Sequence, residues 1–284
     1  MIGTVSSAPP IACRGLTKRF GAVVGVEDLD LELEPGRVVG FLGANGAGKS
    51  TTIRMLVGLL RPTAGQALLW GEPAADAQAR QRLGYMPADP AFYLALSGTE
   101  NLDLLAAVHG RGSPDRASAA DLLGLDAGAL RRPVGEYSSG MVQKLALIQA
   151  VQHRPDLVIL DEPANRLDPL AHRRFEQLVR AIADAGRTVF LSSHTLSEVQ
   201  DVCDSVAMIR AGRLLAHRSV AELSDLGTRR LRAVFRDGMT HEAALAKGDM
   251  APLRELLARE DLVDLTVEPA TLEEAFVELY GERV

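Results

Sequence analysis

The chain has 284 residues, 47% of them hydrophobic and 24% charged, so it can bury a sizeable core and is not a disordered polymer. With 31 Lys and Arg against 37 Asp and Glu the net charge is −6, which argues against a basic nucleic-acid footprint and so against a nucleic-acid partner. Residues 221–284 hold 8 basic and 14 acidic residues, so the whole excess lies in the tail, which an anionic membrane would repel.

In chain order, Ile11–Leu16 and Leu29–Leu33 read as short strands, the second alternating apolar and acidic residues. Glu34-Pro35-Gly36 is a turn. Val38–Leu42 is a continuous apolar run, the mark of a strand buried on both faces. A glycine-rich loop follows, then a helix from Lys49 to Leu60, ended by Pro62 and Gly65. Between residues 87 and 154 the pattern becomes helical, around Asn101–His109, Arg116–Leu123 and Met141–His153. Leu157–Leu160, Thr188–Leu191 and Val206–Ile209 are further buried strands, with a helix at Pro169–Ala185 between the first two and a turn at Ala211-Gly212. Strands separated by helices imply a parallel sheet covered on both faces. Residues 11–220 form one domain on this reading, and 221–284 a small acidic accessory domain with helices at Ala251–Arg259 and Leu272–Tyr280. Cys13 and Cys203 are too few to imply a disulfide scaffold and read as small buried hydrophobes. No apolar run approaches the roughly 18 residues of a membrane span, and Met1–Pro10 lacks the features of a secretory signal, so a soluble cytoplasmic chain is expected.

The chemistry begins at Gly43-Ala44-Asn45-Gly46-Ala47-Gly48-Lys49-Ser50, followed by Thr51, which fits G-x-x-x-x-G-K-[ST] between a buried strand and a helix. Glycines let backbone N–H groups turn inward on a polyphosphate, and the helix N-terminus adds partial positive charge. Lys49 is placed to reach the β- and γ-phosphates, and the Ser50 hydroxyl to ligate Mg²⁺. Alone, this motif leaves kinase, GTPase and ATPase open. Asp161-Glu162 closes a buried strand, where open α/β sheets bind ligands; Asp161 is assigned to Mg²⁺ and Glu162 to polarising an attacking water. His194 ends the next strand and is assigned to the γ-phosphate and that water. Tyr137-Ser138-Ser139-Gly140-Met141 precedes a helix and offers a second phosphate-facing N-terminus. It lies inside the helical insertion, remote from its own glycine loop, so it suits a nucleotide held by a second copy of the chain.

In that order these motifs resemble the ATP-binding subunits of ABC transporters, over roughly Ile11 to Leu223. Gly43–Thr51 resembles the Walker A loop, Tyr137–Met141 the signature motif, Leu157–Glu162 Walker B with its catalytic glutamate, Leu167-Asp168 the D-loop, and His194 the switch histidine. Phe20 resembles the aromatic that stacks on adenine, a core phenylalanine being the alternative. The resemblance implies an α/β P-loop NTPase fold: a RecA-like parallel core, an antiparallel β subdomain, a helical signature subdomain and a small C-terminal appendage. It also implies Mg²⁺-dependent ATP hydrolysis, a homodimer sandwiching two ATP molecules, and a separate integral-membrane permease that holds the chain on the cytoplasmic face. In that sandwich the Walker A loop, Phe20, Ser138, Ser139, Gly140, Met141 and Asp168 would contact nucleotide. The tail Thr271–Gly281 resembles export-type subunits, which makes drug or antibiotic efflux the leading expectation. Lipid or polysaccharide export, or a soluble ABC ATPase outside transport, is the alternative. Ala88 stands where the family usually has Gln, and Asp89 beside it is a candidate substitute. Phe92, Tyr93 and Leu96 are candidates for lining the permease groove.

Overall fold

Val38–Leu42 (β3) is buried at all five positions and lies inside a six-stranded sheet of the computed structural model, which describes residues 8–226, 229–245 and 249–268. Its neighbours are Thr188–Ser193 (β8) and Ser205–Arg210 (β9), both parallel to it. Leu157–Leu160 (β7) and Leu83–Met86 (β6) extend the parallel sheet beyond β8, and Arg213–Ser219 (β10) lies beyond β9. The apolar runs exist because both faces are covered; Phe41 and Phe190 meet across adjacent strands with ring centroids 5.3 Å apart. Leu42 pairs with Ser193 and Leu160 with Leu191, so β3, β7 and β8 end at one carboxyl edge. That register brings the glycine loop, Asp161-Glu162 and His194 to the same place.

Lys49–Leu56 (α1) leaves that edge. It ends four residues earlier than the apolar spacing predicts. Gly58 takes φ 72°, and the amides of Leu59 and Leu60 both fold back onto the Arg54 carbonyl, a glycine-driven stop.

A second, antiparallel sheet packs Ala12–Phe20 (β1) between Val23–Glu32 (β2) and Ala64–Leu69 (β4), with Glu72–Pro73 (β5) at its edge. Ala77–Arg80 (α2), capped by Asp76, leads into β6. Neither β4 nor β6 is legible in the sequence. Each carries a glycine inside a short run; Gly84 is required because the Ala150 carbonyl fills the place of a Cβ.

The insertion holds Gly98–His109 (α3), Arg116–Leu123 (α4), Ala127–Leu130 (α5) and Ser139–Val151 (α6). Ser97 and Glu100 form a reciprocal capping box at the start of α3. Asp115 ties the insertion to the core by accepting from Arg154 at 2.7 Å and from Arg187 at 2.9 Å. Pro169–Asp184 (α7) and Leu196–Val202 (α8) complete the unit that ends at His217.

The unit from Arg218 onward contains Val220–Leu226 (α9) and an antiparallel sheet with Arg229–Phe235 (β11) between Thr240–Leu245 (β12) and Leu262–Glu268 (β13). Ala251–Leu257 (α10) sets Leu256 against Leu231, Ala233 and Phe235. This sheet was not expected, although Arg230, Leu231, Arg232 and Ala233 alternate as a half-buried strand should. The expected helix Leu272–Tyr280 lies outside the described residues. No helix among the described residues is long and apolar enough to cross a membrane.

The turn after α6 carries His153, which is buried and stacks on His109 with ring centroids 4.0 Å apart. Its Nε2 lies 3.1 Å from the Leu83 carbonyl, while its Nδ1 is buried without a partner. Burial first, then His109 and Arg111, push its pKa down to about 4. The unfolded chain therefore takes up a proton between pH 6.5 and about 4 that the native state refuses, so native stability falls as pH drops through that window. Urea titrations from pH 7 to 4 are expected to show this loss, at most about 3 kcal/mol from His153. A His153→Leu variant should flatten that limb of the curve.

Candidate active site

Backbone geometry builds the phosphate cradle. Gly46 and Gly48 take φ 82° and 111°, which turn the loop between β3 and α1 back on itself. No side chain caps α1 at Gly48, so the amides of its first turn remain available to an anion. Asn45, Gly46, Gly48, Lys49, Ser50 and Thr51 line a cavity of about 320 Å³, together with Gly25, Glu162, Asn165 and His194. Gly43, Ala44 and Ala47 do not line it. The Gly43 amide donates to Ser193 of β8, and the Ala47 carbonyl accepts from Gly212.

One carboxylate organises the charge. Lys49 is buried, donates from Nζ to the Gly43 carbonyl at 2.6 Å, and pairs with Glu162 Oε1 at 3.2 Å. Glu162 Oε2 lies 2.7 Å from His194 Nδ1 and accepts from Asn165 at 3.3 Å. Glu162 itself takes φ 51°, a conformation few side chains adopt. Its peptide is held from both sides. The Glu162 amide donates to Ser192 Oγ at 2.9 Å, and Ser192 in turn donates to Asp161 Oδ1 at 2.6 Å. On the other side Gln143 Nε2 donates to the carbonyls of Glu162 at 3.4 Å and Pro163 at 2.9 Å.

The remaining expected residues lie apart from this cluster. Ser138 caps α6 by accepting from the Met141 amide at 3.3 Å, and none of Ser138, Ser139, Gly140 or Met141 lines the cavity of its own chain. Asp168 caps α7 by accepting from Leu170 and Ala171, which lowers its pKa. Phe20 is half exposed rather than in the core, with its ring against Gly25 at the cavity wall and Lys18 Nζ 5.3 Å from its centroid. Asp89 is exposed and lies 3.5 Å from Arg166, outside the cavity lining. Tyr93 and Leu94 are exposed, whereas Phe92 and Leu96 are half-buried.

Gly25, Gln143, Asn165 and Ser192 were not singled out in the sequence. Asn165 lies between Glu162 and Leu167, and Ser192 two residues before His194, and that nearness to marked residues is their only sequence signal. Gly25 and Gln143 arrive from distant elements and carried none.

Comparison with known proteins agrees with this geometry. The ABC transporter family profile matches residues 26–165. The chain is 33% identical to the bacitracin transport ATP-binding protein BcrA of Bacillus licheniformis, over 94% of this chain and 95% of that protein. It is also 33% identical to a fluoroquinolones export ATP-binding protein of Mycobacterium tuberculosis, over 96% and 94%. An uncharacterized ABC transporter ATP-binding protein of Nostoc is 38% identical over 71% of this chain, which spans 62% of that relative's length. A solved ATP-binding subunit of an ABC transporter superposes with TM-score 0.70 at 29% identity, covering 76% of this chain and 92% of the other. The chain belongs to the ABC transporter family of ATP-binding proteins, with the P-loop NTPase fold.

The cradle yields a direct test. At Gly48, φ 111° is closed to side chains, and a Cβ there would meet the Gly25 carbonyl at 2.6 Å. Gly48→Ala should weaken ATP binding at least about 100-fold by isothermal calorimetry, because both the backbone turn and the first-turn amides are displaced.

Proposed function

We propose that this chain is the ATP-hydrolysing subunit of an exporter that expels antibiotics or related drugs through a separate membrane permease, from the cytoplasmic face of the membrane. The observation that carries the hydrolysis is the Glu162 carboxylate, shared between Lys49 at 3.2 Å and His194 at 2.7 Å on the cavity wall. On this reading Lys49 exchanges Glu162 for the β- and γ-phosphates as the triphosphate enters the cradle. Glu162, released from the ammonium, accepts a proton from water, and the water oxygen attacks the γ-phosphorus as ADP leaves. His194 holds the γ-phosphate and orients that water. Phe20 lends its half-exposed ring to the adenine.

The donor set suits Mg²⁺. Among the described residues no group of three or more His, Cys, Asp or Glu forms a metal cage. Mg²⁺ prefers instead one or two protein oxygens beside substrate phosphates. The Ser50 hydroxyl on the cavity wall and the Asp161 carboxylate at the end of β7 would hold it, and when bound it offsets phosphate charge.

The signature residues support a dimer. Ser138, Ser139 and Gly140 open α6 away from their own cavity, so they suit the nucleotide of a second copy, with Met141 and Asp168 on the same interface. Two helix N-termini facing one γ-phosphate stabilise the closed pair, and cleavage removes the shared ligand. The permease would sense closure through the insertion, where Tyr93, Leu94, Leu104 and Val108 present apolar side chains to solvent. The cargo class rests on the two near-full-length relatives that act in bacitracin transport and fluoroquinolone export.

Glu162→Gln is expected to lower ATP turnover at least about 100-fold while ATP still binds, and to accumulate an ATP-bound dimer in size-exclusion chromatography. Full turnover in that variant would remove Glu162 as the base. Leu94→Asp should leave basal ATPase activity unchanged, because Leu94 is exposed and outside the cavity. It should nevertheless abolish co-purification with the co-expressed permease.

A further inference from the structure

Gln143 is buried in α6, five residues beyond the N-cap Ser138, and its side chain makes no contact with solvent that would explain an amide there. An apolar residue would fill the same space without the cost of desolvating a polar group. The amide is spent on two carbonyls of the catalytic loop, those of Glu162 and Pro163. Glu162 needs such support, since its φ of 51° is a minor conformation and its carboxylate must serve Lys49, His194 and Asn165 at once. Ser192 holds the amide side of the residue, and Gln143 holds the carbonyl side.

A second contact runs along the same face of the helix. Gly140, three residues before Gln143, faces the Arg166 carbonyl, which lies 3.3 Å from the position a Cβ would occupy. The first turns of α6 therefore bond the loop after Glu162 near its beginning and run close to it again near its end.

We propose that Gln143 is a positioning residue for hydrolysis. It fixes the Glu162–Pro163 peptides and thereby the direction of the Glu162 carboxylate, and it makes α6 a rigid bracket between the signature residues and the general base of the same chain. The proposal rests on Glu162 acting as base, as argued above. Because α6 opens with the residues assigned to the second copy's nucleotide, the bracket also gives one site a route to the geometry of the other.

The test compares Gln143→Met, Glu162→Gln and the double variant in steady-state ATPase assays, with ATP binding measured separately. Gln143→Met keeps length and volume and removes the donor. It should lower kcat about 10-fold or more, with KM and ATP affinity within about twofold of the parent, since no cradle residue is altered. In the Glu162→Gln background the same substitution should leave the residual rate unchanged, because there is no base left to aim. A general packing defect would instead lower the residual rate and the affinity together, which overturns the proposal, as does an unchanged kcat in Gln143→Met. If Gln143→Met does not fold by circular dichroism, Gln143→Leu removes the donor with a smaller apolar side chain and gives the same reading. Full activity in Glu162→Gln would mark failure of the base assignment itself, whereas loss there with parental activity in Gln143→Met marks failure of the bracket alone.

Discussion

The ion pair between Lys49 and Glu162 is the constraint around which the site is arranged. A lysine this deeply buried is unfavourable unless its charge is matched and its donors are occupied. Here the match is a carboxylate at 3.2 Å, and the Gly43 carbonyl takes another donor at 2.6 Å. Lys49 opens α1 beyond the loop that follows β3, and Glu162 follows β7, with β8 between the two strands, so the pair can form only if the parallel sheet is in register. On the proposed reading, a triphosphate would offer Lys49 more negative charge than one carboxylate, and the exchange would release Glu162 toward His194. Binding and chemistry thus share one switchable contact.

Support for that contact comes from three directions, two of them distant in the chain and one three residues away. Ser192 on β8 accepts from the Glu162 amide, Gln143 on α6 donates to the carbonyl side, and Asn165 bonds its carboxylate. The backbone at Glu162 is strained, and each of these hydrogen bonds offsets part of that cost while limiting where the carboxylate points. An acid held this way needs little reorganisation when a water arrives. The helical insertion enters the site through Gln143, which gives it a direct connection to Glu162 besides its exposed apolar surface.

Departures from the usual family pattern acquire a place in the fold. Asp89, beside Ala88, does not reach the cradle; it faces Arg166 across 3.5 Å of exposed surface, where a single ion pair contributes little. Met141, at the end of the signature segment, lies on the first turn of α6 with Arg132 at 3.5 Å from its sulfur. Neither substitution alters the cluster of Lys49, Glu162 and His194.

Much of the fold and of the site could be read from local pattern. Strands β3, β7, β8 and β9 announce themselves as unbroken apolar runs, because a strand covered on both faces has no polar side. The cradle is written in consecutive residues, since glycines and a lysine at fixed spacing suffice to turn a backbone around phosphate. By contrast β4, β6 and the sheet of β11, β12 and β13 were missed: their residues satisfy partners distant in sequence rather than a local period, and Gly84 is fixed by a carbonyl 66 positions away. The apolar pattern runs on from Lys49 to Leu60, but the fold-back at Gly58 ends the helix at Leu56. Which groups bear charge and chemistry is legible from residue identity and spacing alone. Tertiary structure alone decided that Glu162 bridges Lys49 and His194, and that a buried glutamine holds it there. Distances between side chains from separate strands and helices are properties of packing and register, which no single segment contains.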